Sequence, residues 1–553
     1  MDLYKKHQDT LDKAIKALHE RVFYAHFPEH PSPKIYGETA DAAGRSKFQD
    51  TLGNRFTEIL QEHPAEWIGE EVSPYLQEPL NIHYPKFEAD KLINRASRAF
   101  DGWRKISPEE RAGLLVESLE RIKERFFEIA YATMHTTGQG YMMSFQASGP
   151  HAADRALEAI ASGLEEQQRF PDQASWVKPM GKYQINLNKE WRLVPKGISL
   201  VIGCSTFPTW NSVPGIYASL VTGNPVLVKP HPGAILPIAI FVTEIQKTLQ
   251  SVGLDHNICQ LAVDTKENPI TVTLAEHPAV KLVDFTGNSE FGNYLEGLSG
   301  KTVFTEKTGV NSILLESVED VNKVAQNLAF SITLYSGQMC TAPQNIFIPA
   351  SGIKMGEETI TLEQFAEILV TSVNGLLENP KAGPFVLGAV QNNQTCDRVK
   401  DAENLEGKIW LKSRTIENPM FDNARIATPM VLEVDADQKE VFGKELFGPI
   451  VLLIKTKNIE HSISLAKEQA EINGAISCGA YTVNPQIREK IADQMSLSFT
   501  PVSFNLTGGV YVNQNASFSD FHVTGGNPSG NASFTNPEFV VKRFVRVGIR
   551  EEA

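Results

Sequence analysis

Ile198-Ser199-Leu200-Val201-Ile202, Val226-Leu227-Val228, Lys281-Leu282-Val283-Asp284-Phe285 and Thr302-Val303-Phe304 are short β-favouring runs separated by helical windows. That alternation predicts β-α-β units around a largely parallel sheet. A second α/β stretch begins near Ser312 and runs to about Ala480. Just upstream of the first run, residues 182–194 read KYQINLNKEWRLV, with Tyr183, Ile185 and Leu187 on one side and polar residues on the other. This period of two predicts an exposed antiparallel strand pair.

Towards the N-terminus the pattern becomes helical. Leu11, Ile15, Leu18 and Val22 recur at spacings of four, three and four and form one apolar stripe. Pro31, Pro33, Pro64, Pro74, Pro79 and Pro85 then interrupt any long regular element. Residues 89–103 are again periodic, and Ser107-Pro108-Glu109-Glu110 supplies an N-cap, a proline at the first helical position and a glutamate three residues after the cap. Leu115, Leu119, Ile122 and Phe126 continue that helix as a packing face.

The chain has 553 residues, 42% hydrophobic and 21% charged, enough for two or three domains with a substantial core. A formal net charge of -14 works against binding a phosphate backbone, so no nucleic-acid partner is expected. The opening MDLYKKHQDTLDK lacks the apolar core of a secretory signal, and no apolar run is long enough to cross a membrane, so the expected location is the cytoplasm, without membrane attachment. The five cysteines, Cys204, Cys259, Cys340, Cys396 and Cys478, are scattered without CxxC or Cys/His clustering. Reduced thiols and no metal site are expected.

Four segments carry groups that could do chemistry. Cys340 follows Tyr335-Ser336-Gly337-Gln338-Met339, a helical window ending in a small-residue turn before Asn345-Ile346-Phe347-Ile348. A nucleophilic thiol needs a cleft and a depressed pKa, which a turn rich in backbone N–H groups can favour; the alternative is a buried packing cysteine. Asn211, in Pro208-Thr209-Trp210-Asn211-Ser212-Val213-Pro214, lies directly after a strand, where α/β sheets bind ligands, and could donate to an oxyanion or make an Asx turn. Phe285-Thr286-Gly287-Asn288-Ser289-Glu290-Phe291-Gly292 leaves a strand and opens a helix, so Gly287, Asn288 and Gly292 mark either a phosphate site at a helix N-terminus or a plain strand-to-helix turn. Glu306, 34 residues before Cys340, ends an apolar strand; it is a general base with a pKa raised by desolvation, or a surface partner of Lys307.

In this order, TWNSVP, VLVKP, FTGNSEFG, the glutamate strand, GQMC and Glu445-Leu446-Phe447-Gly448-Pro449 resemble the aldehyde dehydrogenase superfamily, from about Ala89 to the C-terminus. The long N-terminal extension and the form of the cysteine and glutamate motifs look most like the PaaN-like branch associated with phenylacetic acid degradation. The resemblance implies an α/β fold with a Rossmann-like cofactor domain, an α/β catalytic domain and an oligomerisation β-hairpin. The implied parts are an N-terminal extension at 1–85, an NAD(P)-binding domain at 86–310 with the hairpin at 182–194, a catalytic domain at 311–505 and a C-terminal return at 506–553, with an oligomerisation strand at 539–547. A homodimer or homotetramer follows from the same likeness, and exposed alternating strands do need a cover.

The implied activity is NAD(P)-dependent oxidation of an aldehyde to a carboxylic acid, with an aromatic aldehyde or a CoA-linked semialdehyde as substrate. Cys340 would be the nucleophile and Glu306 the base for water, while Asn211 and the Cys340 backbone N–H would form the oxyanion hole. Trp210, Lys229, His231, Gly287, Asn288, Gly292, Glu445 and Phe447 fall in the cofactor segments: Lys229 would bond the adenosine ribose, Gly287 and its helix the pyrophosphate, and Glu445 the nicotinamide ribose, with Phe447 beside the nicotinamide. Without the resemblance, Glu445 reads as a solvated loop charge and Phe447 as a core aromatic. After Lys229 comes Pro230-His231-Pro232, with no acidic residue three positions on to repel a 2′-phosphate, which favours NADP over NAD. Glu306 is followed by Lys307-Thr308-Gly309 instead of Leu-Gly-Gly, and Thr524-Gly525-Gly526-Asn527-Pro528-Ser529-Gly530 keeps the family's glycine-rich pattern only in part. Three rival functions remain: a CoA-acylating dehydrogenase, a catalytically silent protein on the same fold, and a cofactor-free cysteine hydrolase.

Overall fold

The computed structural model describes residues 2–511, 517–518, 522–534 and 536–553. Two parallel-rich sheets organise it. The first contains β1 (Ile198–Ile202), β2 (Val226–Lys229), β3 (Cys259–Leu261), β4 (Val280–Gly287) and β5 (Thr302–Lys307), in the spatial order β3-β2-β1-β4-β5 and parallel throughout. Strand order reverses at β1, so the crevice between the carboxyl ends of β1 and β4 is the place where such a sheet accepts a ligand. Val201, Val228, Val283 and Leu282 are essentially inaccessible, consistent with a parallel sheet covered on both faces.

The second sheet has seven strands, β6 (Ser312–Leu315), β7 (Asn345–Pro349), β8 (Lys408–Leu411), β9 (Met430–Asp435), β10 (Ile450–Thr456), β11 (Cys478–Tyr481) and β12 (Val502–Phe504). Their order is β8-β9-β10-β7-β6-β11-β12, parallel except for the edge pair β8 and β9. The expected fold class, a Rossmann-like sheet joined to a second α/β unit, is the one observed.

Residues before 85 are built into the first unit. Helix α1 (Leu3–Glu20) buries Leu11, Ala14 and Ala17 against α2 (Pro108–Lys123) and α3 (Ala152–Gln168). The stripe read from the sequence runs too far: the helix ends at Glu20, and Val22 lies beyond it, exposed. The cap of α2 forms as its sequence predicts, with Ser107 Oγ accepting from the Glu110 N–H at 3.2 Å and Glu110 Oε2 accepting from the Ser107 N–H at 3.1 Å.

A three-stranded antiparallel sheet stands apart on the surface. The strand pair expected within 182–194 is shifted: Tyr183–Pro195 is one strand and pairs with the preceding Gln173–Met180, because the tight turn falls at Gly181-Lys182, where Gly181 has φ 68°. The C-terminal strand is also shifted, to Phe544–Glu552, since Phe539 and Val540 are buried in the short helix Glu538–Val541. It is tied down by Arg543, which grips Asp284 on β4 with both guanidinium nitrogens, at 2.8 and 2.5 Å. Within the return segment 506–553, residues 512–516, 519–521 and 535 lie outside the described residues. Among the described residues, no helix is long and apolar enough to cross a membrane.

Asp154 on α3 joins the N-terminal segment to this core by accepting from the backbone N–H groups of His26 and Phe27 at 2.9 and 3.3 Å. Burial, aided by the charge of Glu29, pushes this carboxyl up to about 8 in spite of those donors. A folded-state value above the unfolded one means that its stabilisation is complete below the unfolded value of 3.8 and is lost as pH rises through about 8. Asp154→Asn has no proton to lose there, so its melting temperature relative to wild type should rise steadily from about pH 5 to about pH 9. A pH-independent difference in calorimetry would contradict this.

Candidate active site

A strained turn presents Cys340. Helix α6 (Val321–Thr333) ends before the helical window expected there, and Tyr335, Ser336 and Gly337 follow in left-handed conformation, with φ of 51, 51 and 61°. Such backbone costs about 1–3 kcal/mol for each non-glycine residue and persists only where its surroundings hold it. The Tyr335 hydroxyl donates to the Thr137 carbonyl at 2.7 Å, and the Ser336 hydroxyl donates to that of Leu387 at 3.1 Å. At position 337 a Cβ would sit 2.4 Å from the Gly448 carbonyl oxygen, so the Gly448-Pro449 turn seats directly on the glycine. Asn311 fixes the far side: its amide donates to the carbonyls of Cys340 and Ala342 at 2.7 and 3.0 Å, and its oxygen accepts from the N–H groups of Ile476 and Ser477.

Glu306 approaches from β5. Its backbone bridges to Gly530, and the next residue's N–H donates to the Ser529 carbonyl at 2.6 Å, so the C-terminal return covers this edge strand. Lys307 points away and pairs with Glu296 at 3.0 Å, which removes the reading of Glu306 as its surface partner. Asn211, on α4 (Pro208–Val221), donates its amide to Glu306 Oε1 at 3.2 Å and accepts from the Cys204 thiol at 3.7 Å. His522 Nε2 lies 3.0 Å from Glu306 Oε2. One donor atom each of Glu306, Cys340 and His522 all fall within 4.8 Å of one another.

The protonation preferences reverse those expected from the sequence. Burial, together with the Glu306 charge and hydrogen bond, raises the Cys340 thiol well above its ordinary value instead of depressing it. For Glu306, burial alone would raise the carboxyl, but His522 and Arg155 outweigh it with help from the Cys340 hydrogen bond, and the group is held at about 2. Two adjacent acids cannot both ionise cheaply, and the neighbours of the carboxylate, His522 and Arg155, decide which one does.

Cys340 sits where two cavities meet. One, of about 460 Å³, is mainly apolar, with Met143, Phe207, Trp210, Phe330, Met339 and Tyr511 among its walls. The other, of about 320 Å³, is lined mostly by residues with polar side chains and runs past Glu306 to Gly287, Asn288, Glu445 and Phe447, the sheet crevice anticipated above. Glu445 faces this cleft with a carboxyl that burial pushes up to about 7, opposed by the Arg398 charge and the Gly309 N–H.

Not all the sequence-selected residues gather there. Cys340, Glu306, Asn211, Gly287, Asn288, Glu445 and Phe447 do. Trp210 belongs to the apolar cavity, its ring covered by the Arg155 guanidinium at 3.5 Å, because it lies one residue before Asn211 and so on another face of α4. Gly292 is a packing glycine: a Cβ there would meet the Lys307 side chain at 2.5 Å, where α5 (Ser289–Glu296) crosses β5. Lys229 and His231 lie off the cleft; Lys229 Nζ is 2.6 Å from Asp264, and His231 Nδ1 accepts from the Gly233 N–H. An acidic group therefore does reach Lys229, from beyond β3 instead of three residues downstream. Sequence reading passed over Cys204, Arg155, Asn311 and His522, since none has a local motif and each reaches the site only through the fold.

Residues 70–547 match the family model described as "Aldehyde dehydrogenase family". The crystal structure of an NAD-dependent aldehyde dehydrogenase from Burkholderia multivorans superposes with a TM-score of 0.97 at 42% identity, covering 100% of this chain and 99% of that one. The 1-pyrroline-5-carboxylate dehydrogenase 1 of Halalkalibacterium halodurans is 23% identical over 456 residues, 78% of this chain and 84% of that protein. A 1-pyrroline-5-carboxylate dehydrogenase from Thermus with bound NAD shares the fold with a TM-score of 0.74 at 18% identity, covering 96% of this chain and 99% of that one.

Since Glu306 holds the thiol protonated, Glu306→Gln should speed alkylation of Cys340 by neutral iodoacetamide near pH 8, as followed by peptide mass spectrometry. An equal or slower rate would show that the thiol is not under the carboxylate's field.

Proposed function

The chain belongs to the aldehyde dehydrogenase family, and from that premise we propose that it oxidises an apolar aldehyde to the carboxylate through a thioester on Cys340, with NAD as acceptor. The observation that carries this reading is the position of Cys340 at the junction of two cavities, its sulfur within 4.8 Å of a carboxylate oxygen of Glu306. The aldehyde occupies the first cavity and the dinucleotide the second.

The cleft suits a dinucleotide. Gly287 and Asn288 open α5 at the carboxyl end of β4, where helix N–H groups favour a phosphate. Glu445 offers a half-buried carboxyl to a ribose diol, and Phe447 gives an apolar surface beside Cys340. The aldehyde dehydrogenase from Burkholderia multivorans that shares 42% identity is described as NAD-dependent, which supports NAD over NADP. When bound, NAD supplies the hydride acceptor and a cationic ring whose field lowers the thiol pKa.

The chain's own residues do the rest. Once its pKa has fallen, the Cys340 thiol gives up its proton to solvent, the thiolate adds to the aldehyde carbon, and the resulting alkoxide is met by the Asn211 amide and the Cys340 N–H. For this the amide turns from Glu306, to which it is bonded at rest. Loss of hydride leaves the acyl group on sulfur as a thioester. Glu306 takes a proton from water, the hydroxide attacks the thioester, and the acid leaves as the thiolate is restored. A carboxylate poised beside the sulfur favours water over CoA as the acyl acceptor.

The walls of the aldehyde cavity support an aromatic or otherwise apolar substrate, in keeping with the PaaN-like likeness. Its ionisable groups, Glu29, His151 and Lys381, come from the N-terminal segment, the residue before α3 and the loop before the short helix Gly383–Leu387. We divide the chain accordingly into 1–85, 86–310, 311–505 and 506–553. A second copy is proposed to cover the surface sheet, where Val177, Met180, Tyr183, Val545 and Ile549 are exposed.

Three experiments test this. A panel of aromatic, aliphatic and CoA-linked aldehydes, plus glutamate semialdehyde, run with NAD and NADP, should give the highest kcat/KM for apolar aldehydes with NAD. Cys340→Ala should abolish hydride transfer, whereas Glu306→Gln should keep a first-turnover burst and lose at least about 100-fold in steady-state turnover. Acyl-CoA formed only on adding CoA would overturn the hydrolytic reading. Val545→Asp with Ile549→Asp should lower the mass measured by light scattering; an unchanged mass would place the contact elsewhere.

A further inference from the structure

His522 has no role in the chemistry just described, yet it is 8% exposed and its Nε2 lies 3.0 Å from Glu306 Oε2. Its ring nitrogens have no hydrogen-bond partner of good alignment among the described residues, so the 3.0 Å contact with Glu306 is what its polar edge has. A buried imidazole without other partners costs free energy unless it is tied to a nearby charge. Trp210 holds the ring in place, edge to face at 5.0 Å, and is itself clamped on its other side by Arg155. The segment that carries His522 also bridges Gly530 to the backbone of Glu306.

We propose that His522 is a positioning residue for the hydrolytic half-reaction: from the C-terminal return it holds the Glu306 carboxylate ionised and facing Cys340, so that the base is ready for water as soon as the thioester forms. The inference rests on the reading of Glu306 as that base. Behind the carboxylate lies a cavity of about 50 Å³ lined by Arg155, Asp284, Glu306 and His522. It gives the carboxylate room to withdraw from the sulfur, and a group tethered on one oxygen by His522 and on the other by Asn211 resists that movement.

The titratable groups around Glu306 are Cys340 on its loop, Cys204 after β1, Arg155 on α3 and His522. Asp284, across the small cavity, is neutralised by Arg543, and Lys307 by Glu296. Among the groups that lower Glu306, the charge and hydrogen bond of His522 come first. Removing the imidazole leaves burial, which raises the carboxyl, opposed by Arg155. The base must then protonate at higher pH.

The test follows breakdown of the acyl-enzyme after the burst, by rapid quench and mass spectrometry, across pH. Cys340 is acylated in that state and does not titrate. In His522→Gln the acid limb of breakdown should move up by about one pH unit or more, while near pH 8, where Glu306 stays ionised in both proteins, the burst keeps its wild-type rate and amplitude. His522→Asn, smaller and also neutral, should give the same shift, so a folding defect in one variant does not decide the matter. Acid limbs coincident with wild type in both variants would overturn the proposal, as would burst and breakdown falling together, the mark of a merely structural residue. If Glu306→Gln itself turned over normally, the base assignment would fail first, and independently of His522.

Discussion

A carboxylic acid and a thiol buried against each other cannot both be charged at low cost, and the site between the two sheets is arranged around that constraint. Left alone, burial would protonate both groups. His522 and Arg155 tilt the balance so that Glu306 carries the charge and Cys340 keeps its proton. The resting protein is thereby protected from indiscriminate thiol chemistry, while a base stands charged beside the sulfur. The proposed reaction needs the opposite polarity at sulfur for its first step and the same polarity at the carboxylate for its second. The cationic ring of a bound NAD would favour the thiolate for the first step, and it would leave the Glu306 carboxylate charged for the second.

Holding that pair at contact distance takes elements from the whole chain. β5 brings Glu306 and α4 brings Asn211, from the two sides of the strand-order reversal at β1. The second unit brings Cys340 on three left-handed residues, which could not persist without Asn311, Thr137, Leu387 and the carbonyl of Gly448. The C-terminal return closes the edge of β5 and supplies His522. Strain at the turn is therefore offset by hydrogen bonds from helix ends and loops around it, and loosening these would move the thiol relative to the base.

Much of this was legible from the chain because it is local. The β-rich runs, the capped α2 and the turn residues of FTGNSEFG and ELFGP state their own conformations, and their order carried the family resemblance. What escaped was non-local. Asp264 beside Lys229 comes from the end of another strand, and Asn311, Cys204, Arg155 and His522 are single residues without a motif. The protonation states were misread for the same reason: desolvation can be guessed from a strand's apolarity, but not the cations that a distant segment folds against it. The two surface strands shifted because a Gly-Lys turn, allowed by the positive φ of Gly181, and a short buried helix displaced the period-two pattern.

The central claim is that Cys340 carries the acyl group and Glu306 releases it. Intact-protein and peptide mass spectrometry of Glu306→Gln, quenched after mixing with NAD and an aromatic aldehyde, tests it most directly. A stoichiometric acyl adduct mapped to Cys340, formed with one equivalent of NADH and absent from the wild type at the same time, is expected. An adduct on Cys204, or NADH produced without any adduct, would contradict it.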